Sequence, residues 1–327
     1  MKNIAIIGSG SWGVALAIHL GRMGYNVKIW SFLKEEADLI NIQRKCKFLL
    51  EADIPENIKC YTEYKTVVED SDIIFHVTPS KFTRNIVRQY KEYVKNQPII
   101  LCGKGMEVNT LKSLADVVAD EIPSARIGVL SGPSHAEEVS MCVPTAIVIA
   151  SLDEELCNEV QKAIMNENLR VYTSNDVLGV ELGGALKNII AFCAGIVAEL
   201  KLGDNTFAAL ATRGLCEISN LGVAMGAKKS TFYGLTGLGD LLVTCLSEHS
   251  RNRKAGRLIG RGLPLEKVKE EVGMVIESVD NIEVAYQLSK KYNVEMPIVE
   301  VAYKILHSNL EPKKAILTLM TRTKKSE

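Results

Sequence analysis

A glycine-rich turn near the start of the chain constrains the fold more than any other stretch. The apolar run from Ile4 to Ile7 is followed by Gly8-Ser9-Gly10-Ser11-Trp12-Gly13 and then by an apolar segment at helical spacing. In a G-x-G-x-x-G turn between a strand and a helix, the glycines make the bend, admit a pyrophosphate and let the helix pack closely. The helix also points unpaired N–H groups at the phosphates. The sequence therefore predicts a dinucleotide site.

Further apolar runs continue this pattern through the first half of the chain. Each is short and ends in glycine, proline or polar residues, and helical patterns separate them. Such runs predict a doubly wound, mainly parallel sheet with helices on both faces and ligands beyond the strands' C-terminal ends. We expect this α/β Rossmann domain to span residues 1–178. After the first two, the predicted strands lie at residues 72–77, 99–102, 127–130, 145–150 and 169–172.

From about Gly179 the strand signals stop, and helical patterns predict an all-α domain over residues 179–327. Its first stretch carries a single charge between Glu181 and Glu199, that of Lys187. Lysine is rarely buried without a partner. Small residues at helical spacing around Lys187 leave room for another backbone or for a ligand. The alternative is a lysine that extends along the helix to reach solvent.

Two later segments and one strand end concentrate polar and cationic residues. Gly234–Asp240 places three glycines before an acid that can open a helix, and Glu248–Arg257 gathers cations around a hydroxyl and an amide. Arginine and asparagine are donors suited to a phosphate. Lys104 stands between two glycines after a predicted strand, which suits a bound anion. The alternative for each cation is an exposed, solvated charge.

The end of the second strand bears on the choice of cofactor. Asn26–Trp30 is followed by Ser31-Phe32-Leu33-Lys34, and the first acids are Glu35 and Glu36. NAD enzymes usually carry an acidic residue at this strand end for the ribose hydroxyls. Without it, a 2′-phosphate is not repelled, and Ser31 or Lys34 can contact it. We therefore expect NADPH to be favoured over NADH, unless Lys34 is only a solvated charge on the next helix.

Composition excludes several classes of partner. Lysine plus arginine and aspartate plus glutamate each total 39, which argues against a nucleic acid or a membrane surface. The eight cysteines are scattered without metal-ligand spacing, so we expect no metal and a reducing, cytoplasmic location. No leader is expected before the first strand, and no apolar run is expected to reach transmembrane length. The partner is then a small molecule; the oligomeric state, a homodimer among the options, stays open.

Together, the motifs resemble the bacterial type of NAD(P)-dependent sn-glycerol-3-phosphate dehydrogenase over nearly the whole chain. The resemblance implies a Rossmann domain followed by a helical domain of the 6-phosphogluconate-dehydrogenase-like type. It also implies the interconversion of dihydroxyacetone phosphate and sn-glycerol 3-phosphate, which supplies phospholipid synthesis. The segments that carry it are Gly8–Gly13, Gly103-Lys104-Gly105, Ser131-Gly132-Pro133-Ser134-His135-Ala136-Glu137-Glu138, Gly183-Gly184-Ala185-Leu186-Lys187-Asn188, Gly234–Asp240 and His249-Ser250-Arg251-Asn252.

The resemblance assigns roles to individual residues, with Lys187 as the catalytic lysine. Substrate-contacting positions are matched by Lys104, Gly132, Ser134, Lys187, Asp240, Ser250, Arg251 and Asn252. Cofactor-contacting positions are matched by Ser11, Trp12, Lys104, Ala136, Arg251, Val275 and Glu277, to which the motif and the second strand end add Gly8, Gly10, Gly13, Ser31 and Lys34. The family's usual His-Arg pair after the second strand is replaced here by Phe32-Leu33, which leaves NADH open.

The implied reaction transfers hydride to the C2 carbonyl of dihydroxyacetone phosphate, while Lys187 donates the proton and Asp240 orients the amine. Two alternatives remain at this point. A related β-hydroxyacid dehydrogenase would take a carboxylate substrate, against which the Ser-Arg-Asn cluster argues. A non-catalytic NADPH-binding regulator would have no reason to keep Lys187, Asp240 and Arg251 together. A serine hydrolase is disfavoured because no G-x-S-x-G motif is present.

Overall fold

The computed structural model describes residues 2–49 and 51–323, so residues 1, 50 and 324–327, including the outer ends of both predicted domains, lie outside the described residues. The chain separates into two units. The first comprises Met1–Lys104 and Lys112–Glu181, and the second comprises Gly105–Leu111 and Leu182–Glu327. The second unit thus includes a short segment from the middle of the first. The boundary between residues 178 and 179 stays a prediction.

The first unit contains an eight-stranded sheet. Its strands are β1 (Asn3–Ile7), β2 (Asn26–Trp30), β3 (Ile58–Tyr61), β4 (Ile73–His76), β5 (Ile99–Leu101), β6 (Ile127–Ser131), β7 (Thr145–Ala150) and β8 (Leu169–Ser174). They lie in the order β3-β2-β1-β4-β5-β6-β7-β8, and only β6 and β7 pair antiparallel. The order reverses at β1, so a crevice is expected at the C-terminal ends of β1 and β4. The predicted doubly wound sheet is confirmed.

Strand β3 is absent from the strands that the sequence predicted. It forms the edge of the sheet and pairs only with β2. Ile58 and Cys60 are buried and Lys59 between them is exposed. An edge strand with one solvated face alternates polar and apolar residues, so the continuous apolar run that indicates the inner strands is missing.

Helices cover both faces of this sheet. Ile4 and Ile6 of β1 belong to one buried cluster, whereas Ala5 and Ile7 belong to another, as the alternation of side chains along a strand requires. Both faces therefore exclude water. The helices of the first unit are α1 (Ser11–Arg22), α2 (Lys34–Asp38), α3 (Tyr64–Val68), α4 (Thr83–Tyr90), α5 (Leu114–Glu121), α6 (Ala136–Ser140) and α7 (Glu154–Ile164).

The second unit is helical, and the described residues from 182 to 323 include no strand. This confirms the predicted helical domain. A π-helical turn, Leu235–Gly239, leads directly into one of its helices. The helices are α8 (Val177–Glu199), which begins in the first unit, α9 (Gly203–Ala224), α10 (Lys229–Phe232), α11 (Asp240–Leu246), α12 (Arg251–Gly260), α13 (Leu265–Val272), α14 (Glu277–Lys291), α15 (Pro297–His307) and α16 (Pro312–Met320).

Helix α8 is long and apolar enough to cross a membrane by length and composition. The expectation that no apolar run reaches that length is therefore wrong for this helix. Burial explains its composition, because 94% of its most apolar window lies inside the protein. A helix that is apolar on all sides is the expected core helix of a large domain.

Two glycines let α12 lie directly against α8. A Cβ added at Gly195 would lie 2.0 Å from the carbonyl oxygen of Arg253, and one added at Gly256 would lie 1.8 Å from that of Phe192. Both distances are far inside van der Waals contact, so no other residue fits without separating the helices. The contact places the first half of α12 beside the C-terminal part of α8.

A buried carboxylate on α9 caps the N-terminus of α15. Glu217 is 5% exposed. Its two oxygens accept hydrogen bonds from the backbone N–H of Ile298 at 3.0 and 3.1 Å, and one also accepts from Val299 at 3.4 Å. Such bonds satisfy N–H groups that a helix leaves unpaired. Burial nevertheless outweighs them and raises the pKa of Glu217 from 4.5 to about 7.

We predict that Glu217→Gln becomes more stable, relative to the native chain, as the pH rises from 5 to 8. The folded native protein holds a proton on Glu217 up to about pH 7, whereas the unfolded chain loses it near 4.5. The native protein therefore loses stability across this interval and the amide does not. One pKa unit is worth about 1.4 kcal/mol. Chemical denaturation at several pH values should thus show the free energy of unfolding of Glu217→Gln rising by about 2–3 kcal/mol relative to that of the native chain.

The matched control is Glu266→Gln, since Glu266 is exposed on α13. The free energy of unfolding of this variant should differ from that of the native chain by the same amount at every pH. Glu181, whose pKa burial also raises to about 7, is present in every variant and cancels. A difference for Glu217→Gln that stays constant or shrinks with rising pH would contradict the prediction.

Candidate functional site

The turn between β1 and α1 is shaped to receive a pyrophosphate. A Cβ at Gly13 would lie 2.1 Å from the carbonyl oxygen of Gly8, and Gly8 itself has a φ of +126°. At Gly10, in contrast, a Cβ would meet no protein atom within 4 Å. Gly10 immediately precedes α1, whose N-terminal N–H groups favour an anion. Open space at this point therefore fits the phosphates of a dinucleotide.

Three further predicted cofactor residues lie on two helices that pack together, α1 and α6. Ser11 and Trp12 begin α1 and are half-buried, and Trp12 packs against the core of the sheet. Ala136 is buried and begins α6, which packs against α1. The fold thus places Ser11 and Trp12 at the start of α1 and Ala136 on a helix that packs against α1.

The tip of β2 differs from the sequence expectation. The carboxylate Oε2 of Glu36 lies 2.6 Å from the hydroxyl of Ser9 in the glycine turn and 3.1 Å from the hydroxyl of Ser31. The Ser31 side chain is fully buried, whereas Lys34 is exposed at the start of α2. The expectation that no carboxylate stands at this strand end is wrong. Glu36 is the third residue of α2, and the start of this helix brings its carboxylate to the end of β2. The strand pattern alone cannot reveal this contact.

The ends of β5 and β6 bring together three of the predicted substrate residues. The carbonyl oxygen of Gly132 accepts hydrogen bonds from the ammonium of Lys104 at 3.0 Å and from the hydroxyl of Ser134 at 3.1 Å. Because β5 and β6 are parallel neighbours, their C-terminal ends meet at one edge of the sheet. Lys104 is thereby held at the edge where a doubly wound sheet binds its ligands.

In the second unit, Lys187 of α8 forms a buried ion pair. Lys187 is 5% exposed and Asp240, the first residue of α11, is 1% exposed. The ammonium Nζ donates to Asp240 Oδ1 at 2.5 Å and to Thr244 Oγ1 at 2.5 Å. Thr244 in turn donates to the backbone carbonyl of Asp240. Lys187 therefore does not extend to solvent, and its charge is compensated in place.

Thr244 was not among the predicted site residues. It follows Asp240 by one helical turn, so both side chains lie on the same side of α11. That i, i+4 spacing is a signal in the sequence, but it becomes meaningful only when Lys187 is known to face this side of the helix.

A chain of amides fixes the helices around this ion pair. The Asn252 side chain donates to Asn188 Oδ1 at 2.9 Å, and its own oxygen accepts from the backbone N–H of Ser278 at 2.9 Å. Asn281 donates to the carbonyl of Ala185 at 2.9 Å. These bonds link α12 and α14 to α8 at Ala185 and Asn188. Lys187 lies between these two residues in the same helix.

The remaining predicted residues lie at the starts of the same helices. The Ser250 hydroxyl accepts from the backbone N–H of Arg253 and so caps α12, while Arg251 is the exposed first residue of that helix. Val275 directly precedes Ile276 and Glu277 at the start of α14, and both Val275 and Glu277 are half-buried. The fold thus places Ser250 and Asn252 in structural hydrogen bonds and leaves Arg251 at a helix end that attracts anions.

Across the described residues, no group of three or more histidine, cysteine, aspartate or glutamate side chains is arranged to hold a metal ion. All eight cysteines are free thiols. Burial raises the pKa of several of them, including Cys245 to about 12, so these thiols stay protonated at neutral pH.

Comparison with known proteins matches both halves of the chain to the same family. The N-terminal domain of NAD-dependent glycerol-3-phosphate dehydrogenase matches residues 3–157, and the C-terminal domain of the same family matches residues 176–317. A glycerol-3-phosphate dehydrogenase of the NAD(P)+ type from Fusobacterium nucleatum is 49% identical over 100% of this chain and 99% of its own length. The chain belongs to the NAD-dependent glycerol-3-phosphate dehydrogenase family.

Other members of the family agree. A relative from a Thermoanaerobacter species is 48% identical over 99% of this chain and 98% of its own length. The crystal structure of a glycerol-3-phosphate dehydrogenase from Coxiella burnetii covers 98% of this chain and 99% of its own, with a TM-score of 0.95 and 36% identity. Family membership confirms the predicted class, an oxidoreductase that depends on NAD(P), and the predicted succession of a sheet domain and a helical domain.

We predict opposite effects for alanine at two glycines of the turn. Gly10→Ala places a methyl in the open space and should weaken cofactor binding at least about tenfold, while the melting temperature stays within about 2 °C. Gly13→Ala forces a methyl against the carbonyl of Gly8 and should cost about 1–3 kcal/mol of stability. Calorimetry and NAD(P)H titration measure both. A destabilised Gly10→Ala that retains full affinity would contradict this reading of the turn.

Proposed function

We propose that this chain interconverts dihydroxyacetone phosphate and sn-glycerol 3-phosphate, with NAD(P)H as the hydride donor. The observation that carries the proposal is the buried Lys187–Asp240 pair on α8 and α11, with Arg251 at the start of the helix that packs on α8. Relatives that match the full chain are glycerol-3-phosphate dehydrogenases of the NAD(P)+ type, which supports the same substrate. Phospholipid synthesis, which consumes sn-glycerol 3-phosphate, is then the use of the product.

The proposed proton donor is Lys187. When bound, the nicotinamide supplies hydride to the carbonyl carbon, and negative charge develops on the carbonyl oxygen. An ammonium held beside that oxygen stabilises the charge and then donates its proton. Asp240 and Thr244 hold the ammonium by hydrogen bonds of 2.5 Å each, so it needs no reorganisation before the reaction. In the reverse direction the neutral amine accepts the proton from the alcohol.

The proposed phosphate ligands stand at the start of α12. This helix has ten residues, and its positive N-terminal end favours an anion. Arg251 supplies a planar donor fork that suits phosphate oxygens. Ser250 and Asn252 act mainly by fixing the helix start through the bonds described above. In the first unit, Lys104 with Gly132 and Ser134 forms an anion-binding group at the strand ends.

For the cofactor, we assign the pyrophosphate to Gly8, Gly10 and Gly13 and to the start of α1 with Ser11 and Trp12. Open space at Gly10 supports this assignment. We also assign Ala136, Val275 and Glu277 to the cofactor, because they match cofactor-contacting positions of the family. We also propose a cytoplasmic location, which the eight free cysteines support, since a reducing compartment keeps thiols unpaired.

We predict that Lys187→Ala lowers kcat for dihydroxyacetone phosphate reduction about a hundredfold or more, because the proton donor is lost. NAD(P)H binding, titrated separately, should be retained. Lys229→Ala, which removes an exposed lysine of α10, is the control and should keep full activity. Near-native turnover of Lys187→Ala would exclude the assignment.

A second variant guards against loss of folding. Removing Lys187 alone leaves the Asp240 charge buried without compensation, which costs several kcal/mol in comparable sites, about 3–5. The double replacement Lys187→Met with Asp240→Leu removes both charges and should restore the melting temperature. Its kcat should stay as low as that of Lys187→Ala, which separates chemistry from stability.

We predict that Arg251→Ala raises KM for dihydroxyacetone phosphate about tenfold or more, since one charge-assisted contact to phosphate is lost. Activity on unphosphorylated dihydroxyacetone should change little. Lys254→Ala removes a positive charge from the same helix, three residues further on, and is the matched control. Equal losses on both substrates would argue against a phosphate-binding role for Arg251.

A further inference from the structure

A carboxylate is fixed between the ends of β1 and β2. Glu36 Oε2 lies 2.6 Å from Ser9 Oγ and 3.1 Å from Ser31 Oγ, and the two hydroxyls lie 2.8 Å from one another. Ser9 belongs to the glycine turn after β1, and Ser31 directly follows β2. The carboxylate therefore lies between the two strand ends, within hydrogen-bond distance of one hydroxyl from each of them.

These two strand ends have separate tasks in a dinucleotide-binding sheet. The turn after the first strand receives the pyrophosphate, and the end of the second strand receives the adenosine ribose. A carboxylate there accepts hydrogen bonds from the ribose hydroxyls and repels a phosphate at the 2′ position. NADPH carries that phosphate and NADH does not, so the fixed charge distinguishes the two.

Two lysines near this carboxylate carry the opposite charge. Lys34 is exposed at the first position of α2. Lys47 lines the same small cavity as Ser9 and Glu36 and is also exposed, with its ammonium 5.7 Å from the centre of the Phe48 ring. Solvent and salt screen such exposed charges, and ordering a long side chain costs entropy. Glu36 is half-buried and accepts a hydrogen bond from the Ser9 hydroxyl at 2.6 Å, so its repulsion of a 2′-phosphate is the stronger influence.

We propose that Glu36 selects NADH over NADPH in this chain. Its carboxylate accepts from the ribose hydroxyls and excludes the 2′-phosphate, with Ser9 and Ser31 as the residues that position it. The inference rests on the proposed NAD(P)H-dependent function and replaces the expectation of NADPH drawn from the sequence. Phe32 and Leu33, both exposed beside the strand tip, offer no cation to a 2′-phosphate in place of the family's usual pair.

Direct titration of the full chain with NADH and with NADPH tests the proposal without turnover. The chain has two tryptophans, and both report on this region, since Trp12 lies in the glycine turn and Trp30 ends β2. Quenching of their fluorescence gives the two dissociation constants. The native chain should bind NADH at least about tenfold more tightly than NADPH, which corresponds to roughly 1.4 kcal/mol.

Glu36→Gln removes the charge and keeps the shape, so this variant should lose most of that preference, chiefly by gaining affinity for NADPH. Glu36→Ser should shift the ratio of the NADH and NADPH dissociation constants in the same direction. Agreement between the two variants would show that the shift comes from loss of the charge and not from packing of the glutamine amide. Glu35→Gln removes the adjacent, exposed carboxylate of the same helix and should leave the ratio unchanged. Melting temperatures of all three confirm that they are folded.

Three results would overturn the proposal: a native chain that prefers NADPH, a Glu36→Gln ratio equal to the native one, or an equal shift in Glu35→Gln. Turnover of dihydroxyacetone phosphate with each cofactor is measured in parallel. A chain that shows the expected binding ratios and no turnover with either cofactor would refute the proposed reaction and leave the selectivity of Glu36 established. The two failures are thus distinguishable.

Discussion

The buried pairing of Lys187 with Asp240 imposes strict conditions on the helices around it. Burying two charges is favourable only when the geometry is close and the remaining hydrogen bonds are satisfied. Here Asp240 and Thr244 approach the ammonium from one side of α11. Gly183 allows the turn before α11 to reach α8, since a Cβ there would lie 2.6 Å from the carbonyl of Thr236. Gly183 of α8 thus permits the close approach on which the charged contact depends.

The first unit solves a different problem, the assembly of polar groups on an apolar sheet. Its strands bury both faces, so side chains that bind ligands can stand only beyond the strand ends. The parallel arrangement brings those ends to one edge, where Lys104 meets Gly132 and Ser134, and where Glu36 meets Ser9. The glycine turn, with open space at Gly10, completes this edge.

Much of this architecture could be predicted because its signals are local. The glycine turn, the inner strands and the helices after residue 179 are each encoded by a few adjacent residues. Strand β3 could not be recognised in the same way, because an edge strand has no continuous apolar run. The length and apolar composition of α8, taken alone, would fit a membrane span, but they reflect burial inside the protein. Thr244 and Glu36 escaped prediction because their roles depend on partners distant in sequence.

The sequence by itself determined the fold class, the family and the position of the lysine in the central apolar helix, since motifs and periodicity are properties of neighbouring residues. Only the tertiary structure decided what that lysine contacts, which amides hold α12 and α14 to α8, and where Glu36 points. Those features depend on distances between segments that lie far apart along the chain. At the end of β2 this difference corrects one expectation: the residues directly after the strand carry no acid, but the start of α2 brings the Glu36 carboxylate within hydrogen-bond distance of Ser9 and Ser31.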